Sequence, residues 1–376
     1  MSHPEIIDNC IKITVEYLTD AIGRDNIVSI ILYGSMARNE ESYKNVNGKV
    51  FLESDLDVLV IVKNRAVALK WLIQLKRLCN ILTDQLRKKW LLSNVNLSIT
   101  TEERLIHAYP NVFNLFLRIS GKVIFGKDLI ELIPSYKFSE IPVDNLYRMI
   151  FGHMISVVRS IASSDILEGN ISTDGYNSIL KSIRKLTLFL LRVIIIKESM
   201  TIVNPFDMKE IRDKRQLYQT NPIYNDLLNS YENIKLCDSK EECSMVDLQK
   251  LLAMVTKQFN STIAIIAGIN CPLVSLPKKL IFGEFPFIRR LEYSFYIFLM
   301  NIDTAFTMGM IKFMIFIIRG PENIYLRFYN LFESSSNLMR ITQNENEDTD
   351  ILQQRQSWLK LYHKSMKPWK YDKVAD

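Results

Sequence analysis

Apolar positions recur along this chain with two different periods, and the periods divide it. Over residues 4–23, Ile7, Ile11, Val15, Leu18 and Ile22 fall three or four apart, which predicts an amphipathic helix, with Gly23 as its stop. Residues 27–33 ("IVSIILY") and 56–62 ("LDVLVIV") are instead nearly unbroken apolar runs rich in β-branched side chains, the pattern of strands covered on both faces. Between Val67 and Leu92 the spacing of Trp71, Leu75, Leu78, Leu82 and Leu86 predicts one long helix, and the basic run at 87–89 suits its C-terminal dipole. Residues 95–100 alternate as a third strand, and Thr100 with Glu103 has the spacing of a capping box for a following helix.

Past residue 135 the helical period takes over. Residues 146–162 and 176–198 are its clearest stretches, a polar break at 236–244 precedes another helix at 245–268, and a proline-containing stretch follows at 271–286. The pattern therefore predicts an α+β chain: a small α/β domain over 1–135, a helical bundle over 136–270 and a helical C-terminal extension over 271–376. Repeats of solenoid length are absent, which excludes repeat architectures.

Composition narrows the picture only a little. A hydrophobic fraction of 48% and a charged fraction of 23% are those of a folded globular chain. The net charge of +6 suits a phosphate-bearing ligand, but without a basic stripe it disfavours a nucleic acid as partner. Five scattered cysteines, Cys10, Cys79, Cys237, Cys243 and Cys271, form no CxxC pair, so reduced thiols and no zinc site are expected. The N-terminal residues lack a basic-then-apolar signal segment, from which a cytoplasmic location is expected.

The candidate chemistry lies where the first strand gives way to Gly34-Ser35 and the second opens on Asp55-Leu56-Asp57-Val58. Alternate residues of a strand share a face, so Asp55 and Asp57 point the same way and repel each other unless a cation lies between them. Mg²⁺ favours such oxygen donors and leaves positions for water and phosphate. Gly34 permits close approach of backbone to a phosphate, and Ser35 offers a hydroxyl beside helix-terminal amides. Gly-Ser and Asp each occur at ordinary turns; their conjunction with Arg38 and an all-apolar strand carries the signal.

These residues resemble the signature of the polymerase-β-like nucleotidyltransferases, a strand ending in Gly-Ser followed by Asp-h-Asp-h, with h apolar. The likeness covers roughly residues 25–135 and is nearest to the stand-alone members, such as the aminoglycoside nucleotidyltransferases, which place a helical bundle after the catalytic domain. It implies a small mixed sheet, with Asp55 and Asp57 as catalytic metal ligands and Gly34, Ser35 and Arg38 at the nucleotide. Mg²⁺ or Mn²⁺ would be the cofactor and a nucleoside triphosphate, with ATP expected, the substrate. Residues 120–134 look like the segment that closes the catalytic domain. The chain departs from the pattern twice. Nineteen residues separate Ser35 from Asp55, more than is usual, and read as an inserted hairpin turning at Asn47-Gly48. Where many members carry a third acid on the next strand stands Asn96, which cannot act as a base; Glu102 and Glu103 are the nearby substitutes, better placed for capping.

Other signals are weaker. Lys181, Arg184, Lys185 and Arg192 fall along one side of a predicted helix, and the resemblance makes Lys185 the candidate triphosphate ligand. Arg148 and His153 match the Arg–His spacing of HEPN ribonucleases, a loose pattern that chance supplies easily. Residues 293–318 are the most apolar stretch, long enough to cross a bilayer but interrupted by Asp303 and Lys312; a buried helix is the simpler expectation, with membrane association as the alternative. The tail at 355–373 mixes basic and aromatic residues, suited to an anionic polymer or surface.

The acceptor expected on these grounds is a hydroxyl of a small molecule or carbohydrate. A partner protein modified by adenylylation comes next, and a non-catalytic nucleotide-binding regulator is the rival from another class.

Overall fold

A computed structural model describes residues 3–164, 172–198, 204–218, 221–237, 245–267, 322–338 and 349–366, apart from loop positions 42, 47–48, 53, 91–93 and 109. The chain divides into two compact units, one running to Ile141 and the other from Pro142 onward.

The first unit opens with helix α1 (His3–Ile22), which ends where Gly23 takes φ +90°, a backbone angle open to glycine. Strand β1 (Ile27–Tyr33) runs into a single helical turn, α2 (Gly34–Ala37). The hairpin of β2 (Tyr43–Val46) and β3 (Lys49–Leu52) follows with Val46 opposite Lys49, as the Asn-Gly pair leads one to expect. Strand β4 (Leu56–Val62) then leads to α3 (Arg65–Ile73) and α4 (Leu75–Trp90). The single helix expected over 67–92 is thus two, because the backbone leaves helical geometry at Gln74 (φ −93°, ψ 3°). Apolar spacing runs through Gln74 unbroken and so does not register a change of axis.

Strand β5 (Val95–Thr101) extends one residue past expectation, and this moves the helix cap. Thr101, not Thr100, caps α5 (Glu102–Ile106), its side chain accepting from the Arg104 amide. Helix α6 (Val112–Ser120) and strand β6 (Lys122–Gly126) complete the unit.

The four-stranded sheet has the order β5-β4-β1-β6, with β4 parallel to β5 and antiparallel to β1, and β1 antiparallel to β6. It is therefore mixed. One face packs Ile30, Leu32, Val58, Val60 and Val62 against α1 and α4. The other packs Ile31, Leu59 and Ile61 against Leu105, Leu117, Leu129 and Ile133. Two covered faces explain why β1 and β4 read as continuous apolar runs.

The second unit is helical: α7 (Val143–Ser163), α8 (Thr173–Lys197), α9 (Met208–Asp213), α10 (Pro222–Cys237), α11 (Met245–Ala267), α12 (Glu322–Leu338) and α13 (Thr349–Met366). Helix α8 is the hub, packing on α7, α10 and α11, and Leu190 to Ile196 are buried on every side. The described part of the basic-aromatic tail, residues 355–366, joins this core. Trp358 donates its indole N–H to the Leu331 carbonyl at 3.0 Å and stacks on Tyr362, which explains these two aromatics by packing. None of the described helices is long and apolar enough to cross a membrane, and residues 293–318 lie outside the described residues.

Candidate active site

Register brings two of the sequence candidates of the first unit, Asp57 and Asn96, side by side. Tyr33 at the end of β1 is opposite Asp57 near the start of β4, and Asp57 is opposite Asn96 near the start of β5. Directly paired residues share a face, so Tyr33, Asp57 and Asn96 form a row across three strands. They lie on the same face as Ile31 and Leu59, because residues two apart on a strand point alike. Asp55 stands just before β4, two residues from Asp57.

Gly34 fits this row for a reason beyond loop flexibility. Its φ is +78°, and a Cβ there would meet Asp57 Oδ2 at 2.1 Å and Asp57 Cγ at 3.0 Å. Any side chain at position 34 would displace the carboxylate as well as strain the backbone. Ser35 is half-buried in the following turn, where its carbonyl accepts the amides of Arg38 at 3.1 Å and Glu40 at 2.9 Å. The helix implied by the sequence is this one turn.

Arg38 is held in place. Its Nε donates to Glu40 Oε2 at 2.8 Å, its guanidinium carbon sits 5.2 Å from the Phe116 ring centre, and only 10% of the side chain is exposed. Its Nη1 is buried without a hydrogen-bond partner, an N–H group that a phosphate oxygen would satisfy.

Asn96 is hydrogen-bonded directly to Asp57. Its amide nitrogen donates to Asp57 Oδ1 at 2.9 Å, and its amide oxygen accepts from Asn94 Nδ2 at 2.9 Å. Glu103 does not join the row: both its oxygens take up Arg65, at 2.6 and 3.1 Å, on the surface. Pattern reading missed the aromatics. The Tyr33 hydroxyl lies 3.4 Å from Ser98 Oγ on β5, two strands away, so its ring crosses over β4. Phe113 meets that ring edge-on at 5.2 Å. An aromatic immediately before the Gly-Ser was the one available signal.

The carboxylates fit a hard divalent cation. No group of three or more His, Cys, Asp or Glu gathers among the described residues, so an ion here would draw on Asp55 and Asp57 and complete its shell from water and substrate oxygens.

In the second unit the cationic line on α8 is split. Lys185 is exposed, whereas Arg192 is 2% exposed, donating to the Phe206 carbonyl at 3.3 Å between the rings of Phe189 and Phe206. All four cations do share a side of the helix, but the bundle closes around its C-terminal half. His153 stacks on Phe189 with ring centres 3.8 Å apart. Loss of water, helped by the charges of Lys185 and Arg192, pushes its pKa down to about 3, unsuited to acid–base work near neutrality.

Comparison of the chain with protein-family models, curated proteins and solved structures gives no match.

Proposed function

We propose that the first unit is a divalent-metal-dependent nucleotidyltransferase, transferring a nucleoside monophosphate from a triphosphate to a hydroxyl with release of pyrophosphate. The observation that carries this reading is the interlock of Gly34 with Asp57: the Gly-Ser turn and the second aspartate of Asp-x-Asp occupy one another's space. In this reading Asp55 and Asp57 hold Mg²⁺ or Mn²⁺, which when bound neutralises phosphate charge. The turn at Gly34-Ser35 receives the triphosphate, and Arg38 supplies its unpartnered N–H to a phosphate oxygen. Positioning and charge do most of the work in such transfers, so few side chains suffice. The family resemblance by itself offers Lys185, exposed on α8, as a candidate phosphate ligand, and Arg192 is buried instead. The proposed triphosphate is ATP, and the proposed acceptor a small molecule or carbohydrate.

The test supplies each α-labelled triphosphate with Mg²⁺ or Mn²⁺ and a cell extract to wild-type protein and to the Asp55→Ala/Asp57→Ala variant. Label transfer and pyrophosphate release by the wild type alone support the proposal, and the labelled species identifies the acceptor.

Asn96 favours a second reading. A hydrogen-bonded amide where a base is expected suits a nucleotide-binding regulator, for which triphosphate binding would occur without pyrophosphate release.

A further inference from the structure

Asp57 ends a chain of hydrogen bonds that runs in one direction. The Val95 amide donates to Thr83 Oγ1 at 3.0 Å, Thr83 Oγ1 to Asn94 Oδ1 at 3.4 Å, Asn94 Nδ2 to Asn96 Oδ1 at 2.9 Å, and Asn96 Nδ2 to Asp57 Oδ1 at 2.9 Å. The order is dictated from the charged end. An ionised carboxylate only accepts, so Asn96 must turn its NH₂ toward Asp57. Its carbonyl oxygen then faces Asn94, which must answer with its own NH₂. Asn94 is left presenting oxygen to Thr83, whose hydroxyl proton is available because its oxygen already accepts from the backbone. Bonds aligned in this way polarise one another. The main chain adds a further tie: the carbonyl of Asn94 accepts the amide of Leu56, the residue between the two aspartates, at 2.9 Å.

We propose that Asn96, Asn94 and Thr83 are positioning residues that hold Asp57 Oδ1 and thereby aim its other oxygen, Oδ2, at a divalent cation beside Gly34. The proposal rests on the metal-dependent reading of the site. With its oxygen turned to Asn94 and its NH₂ to Asp57, Asn96 orients the ligand instead of joining the shell. Helix α4, which supplies Thr83, thus reaches the site through two asparagines, and α4 itself is fixed by Leu78, Leu82 and Leu86 in the core.

The probe is Mn²⁺ alone, titrated into the full chain and followed by electron paramagnetic resonance, with melting curves checking that each variant is folded. Asp57→Ala sets the zero. Asn96→Ala should weaken Mn²⁺ binding about tenfold or more, the usual consequence of removing a group that orients a metal ligand. Asn94→Asp changes almost no volume but replaces the donating NH₂ by an acceptor; it should weaken binding by roughly 2- to 10-fold, the worth of one hydrogen bond. Thr83→Val should have a smaller effect in the same direction, and Thr83→Ser, which keeps the hydroxyl, should restore the wild-type affinity. A merely structural role would make Asn94→Asp and Thr83→Val alike in melting and silent in Mn²⁺ affinity. Wild-type affinity in folded Asn96→Ala and Asn94→Asp overturns the proposal, as does Mn²⁺ binding that survives Asp57→Ala or is absent from the wild type. If Mn²⁺ binding follows the chain while no triphosphate yields label transfer, the transferase reading fails and the positioning chain stands.

Discussion

The two units treat charge in opposite ways. In the helical unit Arg192 is enclosed between Phe189 and Phe206 and bonded to a backbone carbonyl, and Gln258 bonds Ser230 at 2.6 Å within the bundle. These polar groups are enclosed by the packing around them. In the sheet unit Asp57 is held from one side by Asn96, while its Oδ2 faces the hydrogen-only flank of Gly34. On the proposed reading, chemistry belongs to the strand ends and packing to the helices.

Removing both carboxylates tests that division hardest. The Asp55→Ala/Asp57→Ala variant is expected to lose label transfer on the order of 10³-fold while melting close to wild type. A large loss of stability instead would make the pair structural and erase the contrast. Arg192→Ala should do the reverse, costing about 3 kcal/mol in a urea titration through lost packing and ring contacts. Gly34→Ala joins the two regimes. It should cost about 1–2 kcal/mol through the positive φ, and transfer should fall further than stability does because Asp57 must swing away.

A pH titration sharpens the helical side. His153 has a folded pKa of about 3 against an ordinary value of 6.5, so the fold favours the neutral ring. The unfolded chain therefore takes up the proton first as pH falls. The stability contribution is complete above pH 6.5 and is lost progressively toward pH 3. His153→Gln should flatten that part of the stability-versus-pH curve relative to wild type; an unchanged slope would show the ring to be hydrated. The smallest effect is expected at Glu103. Its exposed pair with Arg65 contributes little, and Glu103→Gln should leave transfer within about twofold of wild type. A large loss there would make Glu103 the missing base.

Much of the sheet unit was legible because its strands are short, apolar and bounded by polar residues. The bounds of β1 and β4 and the hairpin between them follow from that pattern. The break at Gln74 and the shift of the cap from Thr100 to Thr101 did not, since apolar spacing carries no record of where an axis turns or of how far a strand pairs. On α8 the spacing placed Lys185 and Arg192 on one side correctly, but which part of that side meets solvent depends on α7, α10 and α11.

For the candidate site, the sequence by itself determined the ingredients: Gly34-Ser35 after one strand, Asp55 and Asp57 opening another, and an asparagine where an acid was expected. These are local facts, set by strand periodicity and residue chemistry. Only the tertiary structure decided that Gly34 makes room for Asp57, that Arg38 is braced by Glu40 and Phe116, and that Thr83 reaches Asp57 through Asn94 and Asn96. The contacts of Gly34 with Asp57, Arg38 with Phe116 and Asn96 with Asp57 join residues far apart in the chain. They depend on strand register and helix docking, which hydrophobic burial of the whole unit selects and no local pattern encodes.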